Sequence, residues 1–460
     1  MRSERPLPLR QRTFVPHWSN VFGILAFACV VVLLVTGVIL MVFYDPSSDS
    51  TVYHGSYGPL NGAEVSKAYA STLRISVDLP GGLLVRQAHH WAALLLPAAI
   101  MMQLLVTFFT GAFRKPHRFR WLLLFGLFVT ALLGGWSGYA LPDDSLSGTG
   151  LRIFEGIMLG LPVIGTWASA LVFGDAFPGR VLEFLYPVHV WVTGALLVGL
   201  IALWLRSAIK ERPLRRRGKP VGEVALLPTA AVRAAGLFAL SVGVIMVMAG
   251  TMTISPIWLY GPASTGDASA GSQPDWYTGF LDGALRLVPP GWEITWLGRT
   301  WTLAVIAPLA VISTFMLIVA LYPFLEQRFT KDRLDHDLLD RPRDVPVRTG
   351  IGVAGMIFYG VLWAAASADI MATEFGLGLN QILTVLQVIL ITGPVLGFGV
   401  TWSLCRWLQR QDAELAEHGR PTGVIVRLPS GGYVEDHFPP PPAIESARPK
   451  LALGHHPKGV

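Results

Sequence analysis

Apolar runs long enough to cross a bilayer, about 17–25 residues each, recur along the whole chain and constrain its fold more than any other feature. Eight can be counted, near 21–44, 83–110, 121–141, 184–205, 230–254, 300–323, 351–371 and 382–405. Of 460 residues, 52% are hydrophobic and 14% charged, against about 25% charged in a soluble domain. Backbone polar groups in hydrocarbon must be bonded within their own segment, so such runs fold as helices. The expected class is an all-α polytopic membrane protein with eight transmembrane helices. The opening MRSERPLPLRQRTFVPHWS is basic and shows no small-residue cleavage site, so the first run reads as a retained helix and not a signal peptide.

The loops set an orientation. Taken alternately, segments 1–20, 111–120, 206–228, 326–350 and 406–460 hold 28 of the 36 Lys and Arg residues, whereas the loops on the other side hold 5. Positive charge collects on the cytoplasmic side, which predicts a multi-pass protein of the cell membrane with both termini in the cytoplasm. The RPLRRRGKP cluster (212–220) lies between two membrane helices, so topology and contact with membrane lipid explain it better than nucleic acid. Cys29 and Cys405 stand in separate apolar helices without CxxC spacing and read as packing residues.

This gives an N-terminal tail (1–20), a first four-helix bundle (21–205), a basic linker (206–229), four further helices (230–405) and a cytoplasmic tail (406–460). Two outer loops, 142–183 and 257–298, are long and rich in Gly, Pro and aromatics, and long ordered loops are commonly functional. The tail ends in a Pro-rich stretch, where His455 and His456 read as solvated.

Few of the 11 histidines lie in apolar runs. His89 and His90 open the second helix, and His189, in FLYPVHVWVTGALL, opens the fourth. Both helices run from outside to inside, so these positions share one depth. Titratable side chains inside a membrane segment are costly and point to function. Facing histidines can hold a haem in a bundle core, or each can simply bond a neighbouring helix. Gly23 and Gly37 stand 14 residues apart on the first helix, about 21 Å at the helical rise. Small residues admit either a flat macrocycle or a neighbouring helix, so the residues alone leave both readings open.

The stretches GGLLVRQAHHWAALL, FFTGAFRKP, SGYALPDDSLSGTGLRI, LPVIGTW, FGDAFPGR, SAGSQPDWYTGFLDGALRL, YPFLEQRFT, LLDRPRDVPVRTGIG and RLPSGGYVE carry a family likeness. In them the chain resembles the cytochrome b subunit of the menaquinol–cytochrome c reductases of high-GC Gram-positive bacteria, over nearly its whole length. That family places two histidines, 14–15 residues apart, on each of helices two and four, for an outer and an inner haem. The resemblance makes His89 and His189 the outer axial ligands and puts Arg86, Gly37, Gly138 and Gly23 in the cofactor-binding set. His90 is not implied as a ligand. At the inner positions stand Gln103, Val106 in place of a propionate-pairing arginine, Leu203 and Trp204, and Leu124 in place of a glycine. The expectation is one haem b, at the outer level, with the inner haem lost.

By the same resemblance, QPDWY (273–277) matches a Pro-Glu-Trp-Tyr signature with Asp for Glu. It implies Asp275 as proton acceptor in quinol oxidation, with Tyr277 and Tyr139 lining the site. Asp282 is a second loop acid, and Asp143 and Asp144 either relay protons or cap the following loop helix. The implied substrate is menaquinol. The implied partners are a Rieske-type iron–sulfur subunit, a cytochrome c subunit, a terminal oxidase and a second copy of the chain. Two alternatives remain: a single-haem paralogue serving another redox partner, and a non-redox scaffold, against which the retained His89, His189, Asp275 and Gly138 argue.

Overall fold

The computed structural model describes residues 13–14, 17–174, 177–210, 215–216, 224–264 and 273–438. Most of the 212–220 cluster and the Pro-rich end with His455 and His456 lie outside these residues. Among those described, eight helices are long and apolar enough to cross a membrane: α1 (Asn20–Phe43), α2 (Gly82–Phe109), α3 (Arg118–Ala140), α4 (Val181–Ile209), α5 (Leu226–Thr251), α6 (Leu303–Thr330), α7 (Pro346–Ala366) and α8 (Leu379–His418). Each overlaps one of the eight expected runs. The last extends well past residue 405, and an antiparallel hairpin of Arg420–Arg427 and Tyr433–Phe438 comes after it. The first part of the expected tail is therefore folded.

Helices α1 to α4 form the bundle, with α1 packed along α2 and α3 along α4. Its core is built from small residues, Ala26, Cys29, Ala88, Ala92 and Ala131, interleaved with Leu96, Ile100, Leu127 and Ile201. Close approach of backbones drives association where lipid offers no hydrophobic gain. The outward faces are as apolar as the core: Val35, Val38 and Val42 on α1, and Val388, Ile391 and Val395 on α8, are exposed. A helix apolar all round is a membrane span. Cys29 and Cys405 are both free and buried, in different helices.

Helix α5 packs on α1 and α2, and α7 packs along α8. Gln87 of α2 holds the chain just beyond α5 with both ends of its amide: Nε2–H donates to the Ile254 carbonyl (2.8 Å) and Oε1 accepts from the Ile254 N–H (2.9 Å). The outer loops carry short helices, Lys67–Val77, Ser145–Leu159, Gly165–Phe173 and Gly279–Arg286. The last lies so close to α7 that a Cβ at Gly283 would strike the Leu362 carbonyl.

The opposite ends are tied by charge. Arg348, at the start of α7, is 5% exposed and bonds Glu326 of α6 through Nε (3.0 Å) and Asp340 through Nη1 (2.8 Å). Arg114 meets the same Asp340 at 2.9 Å. Removing one partner of a buried ion network leaves an uncompensated charge, at a cost of about 3–5 kcal/mol. Arg348→Ala is expected to lower the unfolding free energy of the detergent-purified chain by that order, read from denaturant melts, with Arg348→Lys between it and the wild type.

Candidate functional site

The first link is a pair of dipeptides. Thr36-Gly37 on α1 and Ser137-Gly138 on α3 each place a hydroxyl next to a glycine, and each hydroxyl meets one histidine. Thr36 Oγ1 donates to the Val32 carbonyl at 2.6 Å and stands 2.9 Å from His89 Nδ1. Its hydrogen is committed to that carbonyl, so Oγ1 accepts from a protonated Nδ1. His189 Nδ1 lies 3.0 Å from the Gly134 carbonyl, which can only accept, and 3.1 Å from Ser137 Oγ. Both imidazoles therefore carry hydrogen on Nδ1 and keep the lone pair on Nε2. This is the state in which a histidine ligates a metal, its other nitrogen fixed by an acceptor.

The rings face each other with centroids 6.1 Å apart and planes at 64°. Two metal–imidazole bonds of about 2 Å each, added to the ring radii, need nearly that span. His189 sits in a π-helical turn, Val188–Thr193, directly after Pro187. Such turns recur at functional sites because they re-aim one side chain within an otherwise regular helix.

Gly37 and Gly138 admit the two rings themselves. A Cβ at Gly37 would lie 3.3 Å from His89 Cε1, and one at Gly138 would lie 2.6 Å from His189 Cε1. Arg86, one turn before His89, is buried; its Nη2 donates to the Ser255 carbonyl (2.8 Å) while its Nε–H has no partner.

The inner level is built differently. The Trp204 indole lies against Gly23, where a Cβ would be 2.6 Å from its ring, so the glycine expected to admit a cofactor admits Trp204 instead. Leu124 is buried in the bundle core. Leu203 is 47% exposed and faces outward. The Gln103 amide turns to Thr107 Oγ1 at 3.4 Å. Of these side chains only Gln103 carries an atom able to bind iron.

On the outer side, the QPDWY loop is pinned by its tryptophan. Trp276 Nε1–H donates to the Leu94 carbonyl of α2 (3.2 Å), and the Trp276 carbonyl accepts from Trp363 of α7 (3.1 Å). This brings Asp275 against His90, whose Nε2 is 3.1 and 3.2 Å from the two carboxylate oxygens. Tyr277 O–H donates to Asp275 Oδ2 at 2.8 Å. The Tyr277 ring is buried against Gly135, where a Cβ would lie 2.6 Å from it. Burial, reinforced by the Asp275 charge, raises the Tyr277 pKa well above its ordinary value. Tyr139 O–H is committed to the Leu146 carbonyl (3.0 Å).

His90 is the residue that reasoning from sequence passed over, and so are Thr36 and Ser137. A hydroxyl directly before a glycine on each of two apolar helices was the available signal. Of the acids left open, Asp144 caps the helix Ser145–Leu159 in a capping box, accepting from Ser147 N–H at 2.7 Å. Asp282 pairs with Arg286 one turn along its helix (2.9 Å).

Eight helices long and apolar enough to cross a membrane, with two buried imidazoles close together among the first four, define a polytopic helical membrane protein. The family model described as Cytochrome b(N-terminal)/b6/petB matches residues 94–262. The cytochrome bc1 complex cytochrome b subunit of Streptomyces coelicolor is 42% identical over 93% of this chain and 80% of that protein. The subunit of the same name from Mycobacterium tuberculosis is 43% identical over 95% of this chain and 81% of that protein. A solved structure titled hyperthermophilic respiratory Complex III superposes with a TM-score of 0.59 at 16% identity, over 84% of this chain and 94% of the other; it shows the fold. The chain belongs to the cytochrome b subunit family of bc1 complexes. That family implies haem b. The outer-level residues fit it on two observations, the partnerless buried Arg86 Nε–H and the paired imidazoles. The inner-level residues do not.

Burial raises the Asp144 carboxyl above its ordinary pKa. A group with a raised folded-state pKa contributes stability that is present at low pH and lost as pH rises through that value. Asp144→Asn keeps an N-cap acceptor without the buried charge. Its melting temperature is expected to fall less than the wild type's between about pH 4 and 7, measured in one detergent buffer series.

Proposed function

We propose that this chain is the quinol-oxidising cytochrome b of a respiratory quinol–cytochrome c oxidoreductase and holds one haem b, at the outer level, the inner haem having been lost. The observation that carries this reading is the contrast between two levels of one bundle. At one, two histidine rings lie together, each against a glycine; at the other, Trp204 lies against Gly23 and no histidine stands at 103, 203 or 204. His89 and His189 would hold the iron through Nε2, Arg86 would serve a propionate through its Nε–H, and Gly37 and Gly138 admit the two rings. Bound there, a haem supplies a one-electron acceptor whose potential the protein tunes by ligands and burial.

The remaining work falls to side chains. Quinol oxidation releases two protons as electrons leave, and a carboxylate beside the ring oxygen can accept one. Asp275 is that acceptor. His90 and Tyr277 both bond its carboxylate and fix its orientation. Tyr277 keeps its own proton, because burial beside a carboxylate disfavours the phenolate. Tyr139 contributes a wall, its hydroxyl being engaged by the chain.

Inward of this site no second carrier is held. The two levels are 14 residues apart, about 21 Å, too far for turnover by tunnelling, so the chain does not complete a Q-cycle by itself. The partners on the outer side are a Rieske-type iron–sulfur subunit and a cytochrome c subunit, with a terminal oxidase beyond. The substrate is menaquinol, the chain pairs with a second copy, and both termini lie in the cytoplasm. The seat of Trp204 also favours a second reading, a single-haem paralogue serving another redox partner. Neighbouring genes for iron–sulfur and dihaem cytochrome c subunits separate the two.

Pyridine-haem quantitation on the purified chain is expected to give one haem per polypeptide, lost in His89→Ala and in His189→Ala; two haems would overturn the reading. Asp275→Asn is expected to keep the haem and slow quinol oxidation by about 10²–10⁴. His90→Ala should slow it less, since the Tyr277 bond remains.

A further inference from the structure

Two ties bracket Asp275, and both come from α7 or the short helix that follows it. On the C-terminal side, Trp363 Nε1–H donates to the Trp276 carbonyl at 3.1 Å. On the N-terminal side, Gln273 Nε2–H donates to Asp369 Oδ1 at 2.9 Å, across 96 positions of sequence. Asp369 stands at the start of the helix Ala368–Phe375. Pro274, between Gln273 and Asp275, has no N–H to offer, so the incoming chain is fixed here through a side chain. From Asp275 onward the loop holds itself. The Asp275 carbonyl accepts from the Thr278 N–H at 3.0 Å and from Thr278 Oγ1 at 2.9 Å.

The Asp369 carboxylate is fixed in its turn. Its Oδ1 also accepts from the Ile370 N–H at 2.9 Å, and Arg286 Nη1 stands 3.0 Å away. Arg286 Nε lies 2.9 Å from Asp282 Oδ2, one turn back on the helix Gly279–Arg286, and that helix packs along α7. The side chains of Asp282, Arg286 and Asp369 are only 18–26% exposed. Hydrogen bonds to an ionised acceptor are about twice as strong as neutral ones, so the amide of Gln273 is held firmly. Asp282 thus orients Arg286, Arg286 steadies Asp369, and Asp369 holds the loop.

We propose that Asp369 is a positioning residue for quinol oxidation: through Gln273 it sets where the loop presents Asp275, without itself touching the substrate. The proposal rests on the reading of Asp275 as proton acceptor. His90 and Tyr277 bond the Asp275 carboxylate and so orient it, whereas the Asp369 tie places the backbone from which that carboxylate hangs. Asp275 stands two residues after one tie and directly before the other, and each residue of extended chain spans about 3.3–3.6 Å. Releasing Gln273 therefore frees the carboxylate to shift on the ångström scale. A misplacement of about 1 Å can cost a hundred-fold in rate.

The complex containing the full chain is purified from membranes and its turnover measured with a reduced short-chain naphthoquinone. Rates are expressed per spectroscopically intact b haem, so that misfolded complex is not counted. Asp369→Ala and Gln273→Ala are each expected to lower kcat about ten- to hundred-fold with KM little changed, the split that marks an interaction realised in the transition state. Asp369→Asn keeps an oxygen acceptor for Gln273 and should recover most of that loss. In an Asp275→Asn background, Asp369→Ala is expected to cost less than about two-fold more, because residues acting through one group are not additive. Wild-type kcat in both Asp369→Ala and Gln273→Ala would overturn the proposal. So would an undiminished loss from Asp369→Ala in the Asp275→Asn background, since the residue would then act on the fold at large and not through Asp275. Full turnover in Asp275→Asn alone would instead sink the proton-acceptor reading, and the proposal with it, a failure seen in a different variant.

Discussion

A polar side chain inside hydrocarbon needs a partner, and this requirement governs the outer half of the bundle. Thr36, Ser137 and the Gly134 carbonyl take up one nitrogen of each central histidine. The two rings then lie with centroids 6.1 Å apart and planes at 64°. The glycines at 37 and 138 permit this, since any side chain there would press on the rings.

The two levels solve one packing problem in different ways. Helices α1 and α3 must come close to α2 and α4 without leaving a void, as interiors pack to crystal-like density. At the outer level the two histidine rings do this, each against a glycine. At the inner level a single large indole does it, resting on Gly23 with the Arg120 guanidinium above. The side chains at 103, 106, 124 and 204 come from three helices, yet they line one cavity, and a tryptophan beside Gly23 leaves no room there for a flat cofactor.

The number and placement of the spans were legible because hydropathy over twenty residues is a cumulative signal. His89 and His189 stood out because titratable residues are rare in apolar helices, and the structure brings their rings together. The ends of elements were less legible. Helix α8 continues to His418 through RWLQRQDAELAEH, whose charge masks it from a hydropathy reading although its residues are good helix formers. The link from His90 to Asp275 spans 185 positions and depends on how the loop folds back, which no local pattern encodes. The choice between Leu203 and Trp204 turned on helical phase, and the π-helical turn at Val188–Thr193 shifts that phase for every later residue of α4.

That turn joins the two levels. A π-helical turn adds a residue to a helix, and so rotates the remainder of α4 by about a quarter turn relative to an unbroken helix. It aims His189 at His89, and in the same stroke it sets which of two neighbouring residues, fourteen and fifteen positions on, faces the bundle. Here the inward one is Trp204 and the outward one is Leu203. A histidine introduced at 203 would therefore face lipid, and one at 204 would face the bundle. The same local irregularity that assembles the outer site thus narrows the inner one to a single residue, and that residue is the largest side chain available.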